Sequence, residues 1–185
     1  MSKKRKIILV TDGDNVARRA VEVAAKNIGG RCISRSGGNP TPITGEKIVD
    51  FIKQAKYDPV VIMVDDVGDE GFGKGEKALN EILLCDDVEI LGIVAVASNT
   101  KDVNGIKVDF SVTADGKVVK KAVDKDGVET DDNILYGDTV DIINSYNIPL
   151  VVGIGDIGKM NGKDDISKGA PIVTKALKEI LNRSE

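Results

Sequence analysis

Seven acidic residues stand directly after predicted strands, where they could bind a metal ion or a polar ligand. They are Asp12 and Asp14 after the first strand, Asp65, Asp66, Asp69 and Glu70 after the third, and Asp156 after the last. In an open parallel sheet, ligands bind beyond the carboxyl ends of the strands, so these side chains converge if their strands are neighbours. Oxygen ligands of this kind suit a hard cation, Mg²⁺ or Ca²⁺. The alternative is that Asp and Gly simply form the tight turns between strands and helices.

The residue types that are missing limit the chemistry further. The chain has no histidine, which excludes a histidine-based triad, a Cys–His dyad and a histidine-ligated metal. Its two cysteines, Cys32 and Cys85, have no CxxC spacing, so the sequence indicates neither a zinc site nor a disulfide framework. Both are expected to be small core residues. Acid–base chemistry would therefore rest on carboxylates, lysine, tyrosine or cysteine.

One short motif favours phosphoryl transfer. Residues 8–16 (ILVTDGDNV) fit the DxDx(T/V) signature of the haloacid-dehalogenase phosphatases. That resemblance implies Asp12 as the nucleophile and Asp14 as the general acid. Residues 152–156 (VGIGD) resemble the superfamily's final acidic motif, but its second aspartate has no counterpart here. The catalytic set is therefore incomplete, and no catalytic residue is assigned.

Two further motifs depart from their families at required positions. Acids after the first and third strands resemble the metal site of Toprim domains, but Asp12 replaces the usual Glu and Asp65-Asp66 replaces DxD. Residues 68–75 (GDEGFGKG) resemble a P-loop, which needs Ser or Thr where this chain has Gly75. Asp69 and Glu70 would also place negative charge in a phosphate cradle. The segment is therefore predicted to be a mobile loop and not a nucleotide site.

Alternating elements predict an α/β fold. Aliphatic runs indicate five buried parallel strands at 7–10, 31–34, 60–64, 90–97 and 149–154. Apolar residues at helical spacing alternate with them at 16–28, 44–56, about 76–84, 137–146 and 171–182. Thr44 and Asp138 are the expected N-caps of the second and fourth helices. The pattern predicts a three-layer, Rossmann-like or Toprim-like fold, with a five-stranded, mainly parallel open sheet and helices on both faces.

One segment breaks this alternation. Two short alternating runs, 107–112 and 117–123, flank Asp115-Gly116, and Asp-Gly between such runs favours a β-hairpin. Residues 98–133 are therefore predicted to form an antiparallel insertion in a single domain of residues 1–185. This insertion is also the first candidate for a partner surface.

Composition and charge narrow the classes of partner. The chain has 185 residues, of which 41% are hydrophobic and only 3% aromatic, so an aliphatic core is expected. A net charge of −4 argues against nucleic-acid binding. The basic run at 3–6 is expected to be a solubilising tail. No run approaches the roughly 20 apolar residues that a membrane span needs, which predicts a soluble protein made in the cytosol.

Three long segments together resemble the stage V sporulation protein AE family of spore-forming bacteria. They are residues 3–42 (KKRKIILVTDGDNVARRAVEVAAKNIGGRCISRSGGNPTP), 60–79 (VVIMVDDVGDEGFGKGEKAL) and 147–165 (NIPLVVGIGDIGKMNGKDD). The resemblance implies a non-enzymatic accessory protein of spore formation and germination. Its implied partners are the membrane proteins that move calcium dipicolinate, and its implied location is peripheral, at the forespore or spore inner membrane.

A second hypothesis comes from the motifs instead of the whole chain. It is a Mg²⁺-dependent phosphoryl-transfer enzyme that uses Asp12 and Asp14 with Asp65 and Asp66. Convergence of these carboxylates on one point would favour it, and so would a bound Mg²⁺ or Ca²⁺. The sequence leaves homo-oligomerisation undecided.

Overall fold

The computed structural model describes residues 3–66, 72–100 and 103–184, which form a mixed α/β fold. Four helices are present in this part of the chain: α1 (Asn15–Asn27), α2 (Gly45–Gln54), α3 (Lys74–Leu83) and α4 (Pro171–Arg183). The strands are β1 (Arg5–Val10), β2 (Arg31–Cys32), β3 (Val60–Met63), β4 (Val88–Val96), β5 (Ile106–Lys107), β6 (Phe110–Val112), β7 (Val118–Val119), β8 (Ile134–Leu135) and β9 (Val151–Ile154).

The main sheet is larger than predicted. Within the described residues it has seven strands in the order β2-β3-β1-β4-β9-β6-β7, and all neighbours are parallel except β6 and β7. The five predicted strands are all present, so the predicted α/β class is confirmed while the strand count is wrong. The two extra strands, β6 and β7, come from the predicted hairpin. β6 pairs with β9, is buried along its whole length, and covers the edge that β9 would otherwise expose.

The strand order places β1 beside β3, at an edge where an open α/β sheet is expected to bind ligands. The five predicted strands lie in the order 2-3-1-4-5, which differs from the 3-2-1-4-5 order of the Rossmann sheet. The chain leaves β1 into α1 on one face of the sheet and leaves the neighbouring β3 into α3 on the opposite face. Connections that leave neighbouring strands on opposite faces mark the expected ligand position in an open α/β sheet. We call this position, beside Asp12 and Asp65, the crevice.

Two apolar layers hold the helices against the sheet. On β1, Ile8 and Val10 face the layer that contains α1 and α4. Ile7 and Leu9 alternate with them and face the layer that contains α2 and α3. Because successive strand residues point to opposite faces, a run of four aliphatic residues serves both layers. The prediction of helices on both faces is therefore confirmed.

The segment predicted as an insertion at 98–133 is only partly separate from the sheet. Its hairpin forms around Asp115-Gly116, as β6 and β7, and continues the main sheet. The strand predicted at 107–112 splits in two, because β5 pairs instead with β8, beyond the predicted boundary. The strand predicted at 117–123 shortens to β7.

The helix predicted at 137–146 is replaced by a 3-10 helix, Asp141–Ser145. Asp138 is not its N-cap; its carboxylate instead accepts a hydrogen bond from the hydroxyl of Thr100. Thr139 has a φ of 62°, a left-handed conformation that interrupts a right-handed helix. The helix therefore cannot begin where its apolar pattern suggests.

Candidate functional site

The loop after β1 is built around Asp14, which caps α1. The Oδ1 atom of Asp14 accepts hydrogen bonds from the amides of Val16 (2.9 Å) and Ala17 (2.8 Å). These are two of the amides that have no partner inside the helix, so the carboxylate fixes where α1 begins. The amide of Asp14 in turn donates to Oδ1 of Asp12 (3.3 Å). The two acids are thereby held on one short loop.

The loop after β3 is joined to the β1 loop through Asp65. The buried Asp65 side chain accepts a hydrogen bond at Oδ2 from the amide of Gly13 (3.2 Å). Its backbone is anchored by Thr41, whose Oγ1 accepts from the Asp65 amide (2.9 Å) and whose own amide donates to the Asp65 carbonyl (2.8 Å). Thr41 is not among the site residues that the sequence predicts.

Asp12, in the loop after β1, has a pKa that its surroundings shift strongly. Burial raises the pKa of Asp12 well above its ordinary value, and the negative charges of Asp14, Asp65 and Asp156 raise it further. Desolvation and like charges both disfavour the ionised form of a carboxyl group. Asp12 is thus the group whose ionisation the surrounding crevice opposes.

Asp156 reaches the same region from β9. Its Oδ1 atom accepts from the amide of Gly158 (3.1 Å), and Oδ2 lies 3.4 Å from Nζ of Lys159. Its own amide donates to the carbonyl of Lys125 (2.8 Å), which ties the end of β9 to the segment after β7. The structure therefore brings Asp12, Asp14, Asp65 and Asp156 into one electrostatic neighbourhood.

Asp66 faces a different partner. Its carboxylate accepts from the amides of Gly75 (2.5 Å) and Glu76 (3.0 Å), at the start of α3. This carboxylate occupies backbone amides of the kind that a P-loop would offer to a phosphate. A Cβ atom on Gly75 would lie 2.5 Å from the backbone oxygen of Asp65, which explains glycine where the motif needs Ser or Thr.

The metal prediction has no direct structural counterpart. Asp69 and Glu70 lie outside the described residues, together with most of the loop that was predicted to be mobile. Across residues 3–66, 72–100 and 103–184, no group of three or more Asp, Glu or Cys side chains has the arrangement of a metal site. A metal in the crevice would need further oxygen ligands, so Mg²⁺ or Ca²⁺ binding stays a prediction.

Neither cysteine has the surroundings of a nucleophile. Both thiols are free and half-buried, as expected of small core residues. Burial, with the nearby charge of Glu22, raises the pKa of Cys32 to about 12. Since the thiolate is the reactive form, Cys32 is inert at neutral pH.

A buried carboxyl that the sequence did not single out is Asp164. It is only 1% exposed, and its Oδ1 accepts from the amides of Ile172 (2.7 Å) and Val173 (3.2 Å) at the start of α4. Burial raises the pKa of Asp164 to about 6. No local pattern announces this cap, because the hydrogen bonds span eight and nine residues instead of the two or three of an ordinary N-cap.

The protein is thus a mixed α/β protein whose acidic side chains cluster at the carboxyl ends of its central strands. The family model of stage V sporulation protein AE1 matches residues 6–184. The chain therefore belongs to this family of sporulation proteins. Searches of curated proteins and of solved structures found no match. No helix in the described residues is long and apolar enough to cross a membrane.

Proposed function

We propose that this chain is an accessory protein of spore formation and germination, acting with the membrane machinery that moves calcium dipicolinate. The observation that carries the proposal is the family match over residues 6–184, which extends from β1 to the end of α4. A match of this extent includes the core, the crevice and the segment between β4 and β9 together. The role therefore belongs to the whole domain, and no single motif defines it.

The crevice supports a binding role better than a catalytic one. The carboxylates of Asp14 and Asp66 accept hydrogen bonds from amides at the starts of α1 and α3, as structural helix caps do. Burial, together with the charges of Asp14, Asp65 and Asp156, raises the pKa of Asp12, so its ionised form is costly without a bound cation. These caps occupy carboxylate oxygens that a Mg²⁺-dependent phosphoryl-transfer site would use, so the contacts favour a binding role.

The proposed partners are membrane proteins of the dipicolinate system, and the proposed location is peripheral, at the forespore or spore inner membrane. A tagged copy of the chain is expected to sediment with inner-membrane vesicles from broken spores. Deleting the genes of the membrane subunits should move it to the supernatant, because its attachment is proposed to run through proteins. Quantitative immunoblotting of both fractions measures the distribution.

A tagged spore enzyme with no membrane partner is the matched control and should stay in the supernatant. The proposal of a membrane-attached accessory role would be contradicted by finding the chain in the supernatant of wild-type spores. Sedimentation that persists without the membrane subunits would contradict the proposed partners.

A further inference from the structure

A cleft of roughly 380 Å³ lies between the end of β4 and the segment that follows β7. Ala97, Ser98 and Asn99 line it from the β4 side, and residues between 123 and 136 form the opposite wall. None of the seven acids predicted as site residues lines this cleft. Its volume is in the range of sites that take a small molecule or a few side chains.

Carboxylates dominate the charge of the cleft. Asp124, Asp126 and Asp132 line it, with Lys125 as the one basic lining residue. Two of these acids are held in place by the backbone. Oδ1 of Asp124 accepts from the amide of Val128 (3.0 Å), and Oδ1 of Asp132 accepts from the amide of Ile134 (2.9 Å). The cleft thus presents fixed negative charge with an excess of two carboxylates.

An exposed aromatic ring completes the wall. Tyr136 lines the cleft and is 48% exposed. Two other rings, those of Phe51 and Phe110, each have a cationic side chain of this chain stacked over them. The guanidinium of Arg183 lies 4.1 Å from the ring centre of Phe110, and that of Arg35 lies 5.2 Å from the ring centre of Phe51. In the part of the chain that the structure describes, no cation lies over Tyr136.

We propose that this cleft binds an arginine or lysine side chain from a segment of a partner protein. Tyr136 and the carboxylates line the same cleft, and both kinds of group attract a cation, the ring by cation–π and the carboxylates by Coulomb interactions. Val128, on the wall segment, is 58% exposed and offers apolar surface to the flanking peptide. The identity of the partner, a subunit of the membrane machinery, rests on the proposed function. The preference of the cleft for a cationic side chain does not rest on it.

A single tryptophan can report on this cleft, because the chain contains none. In the Tyr136→Trp variant, indole fluorescence should change saturably when a short glycine-spaced peptide with two arginines is added. Adding Asp126→Asn and Asp132→Asn should weaken that binding about five- to tenfold, since each removes one charge contact. Asp132→Asn retains the oxygen that accepts from Ile134. Raising the salt concentration should weaken binding further.

Two matched controls define the site. Asp115→Asn removes the same charge at the exposed hairpin turn and should leave the affinity unchanged. A Tyr57→Trp variant, with its reporter outside the cleft, should not respond to the peptide.

Three results would overturn the proposal: no saturable response at Tyr136→Trp, an equal response to a glutamate peptide, or equally tight binding of arginine amide or Ca²⁺ alone. Peptide binding is measured on the purified chain, so its failure leaves the spore fractionation result intact. A failed fractionation likewise leaves the peptide result intact.

Discussion

The Asp12→Asn variant is expected to be more stable than the wild type at neutral pH, by about 1 to 2 kcal/mol in the free energy of unfolding, the usual scale of a single stabilising substitution. Burial and the charges of Asp14, Asp65 and Asp156 oppose ionisation of Asp12. Asparagine removes the charge and retains the oxygen that accepts from the Asp14 amide. Urea unfolding followed by circular dichroism measures the difference.

The pH dependence of this effect has a definite sign. Because the pKa of Asp12 is raised in the folded state, the folded chain binds more protons than the unfolded chain above the ordinary aspartate pKa. The contribution of Asp12 to stability is therefore fully present at low pH and is lost as the pH rises through the folded pKa. The advantage of Asp12→Asn should accordingly vanish near pH 4. Asp115→Asn, on the exposed turn, is the control; a destabilised Asp12→Asn at pH 7 would contradict the electrostatic account.

The Asp164→Ala variant is expected to be less stable than Asp164→Asn by about 2 to 3 kcal/mol at pH 7, since alanine removes a helix cap and leaves buried amides unpaired. Ile172 is 3% exposed and Val173 is fully buried, so water cannot replace the missing carboxylate. Asp164→Asn keeps one acceptor oxygen and should be at least as stable as the wild type at pH 7. Equal losses in both variants would show that the charge, and not the cap, matters.

Asp164 also predicts a titration in the stability of the wild type. Its pKa rises from an ordinary 3.8 to about 6 on folding, because of burial. Its contribution is therefore present below about pH 4 and is lost as the pH rises through 6. A shift of about two units corresponds to about 3 kcal/mol. The fall in stability that Asp164 causes between pH 4 and 6 should be absent from Asp164→Asn, as measured by unfolding at a series of pH values.

Local signals in the sequence predicted the elements well. Thr44 caps α2 by accepting from the amide of Lys47 (3.2 Å), as expected. The helix predicted at 16–28 is confirmed as α1, which stops at Asn27, and Gly29 just beyond it has a φ of 73°. In each case the residue acts on backbone within a few positions, and that range is visible in a sequence pattern.

Contacts between residues far apart in the sequence could not be predicted from these local signals. The sequence showed β6 as a short alternating run, but its pairing with β9 depends on an edge that exists only in the folded sheet. Asp65 and Asp66 are neighbours in the sequence, yet one bonds Gly13 and the other caps α3. Asp164 is equally unmarked. The sequence thus placed these acids at the carboxyl edge of the sheet without resolving which acid faces which partner.

The dipicolinate content of spores lacking this gene tests the proposed function most directly. An in-frame deletion leaves neighbouring genes intact, and a copy of the gene at a second locus serves as the control. We predict that spores of the deletion strain contain less dipicolinate and germinate more slowly, and that the second copy restores both. Deletion spores with wild-type dipicolinate content and a wild-type germination rate would contradict the accessory role.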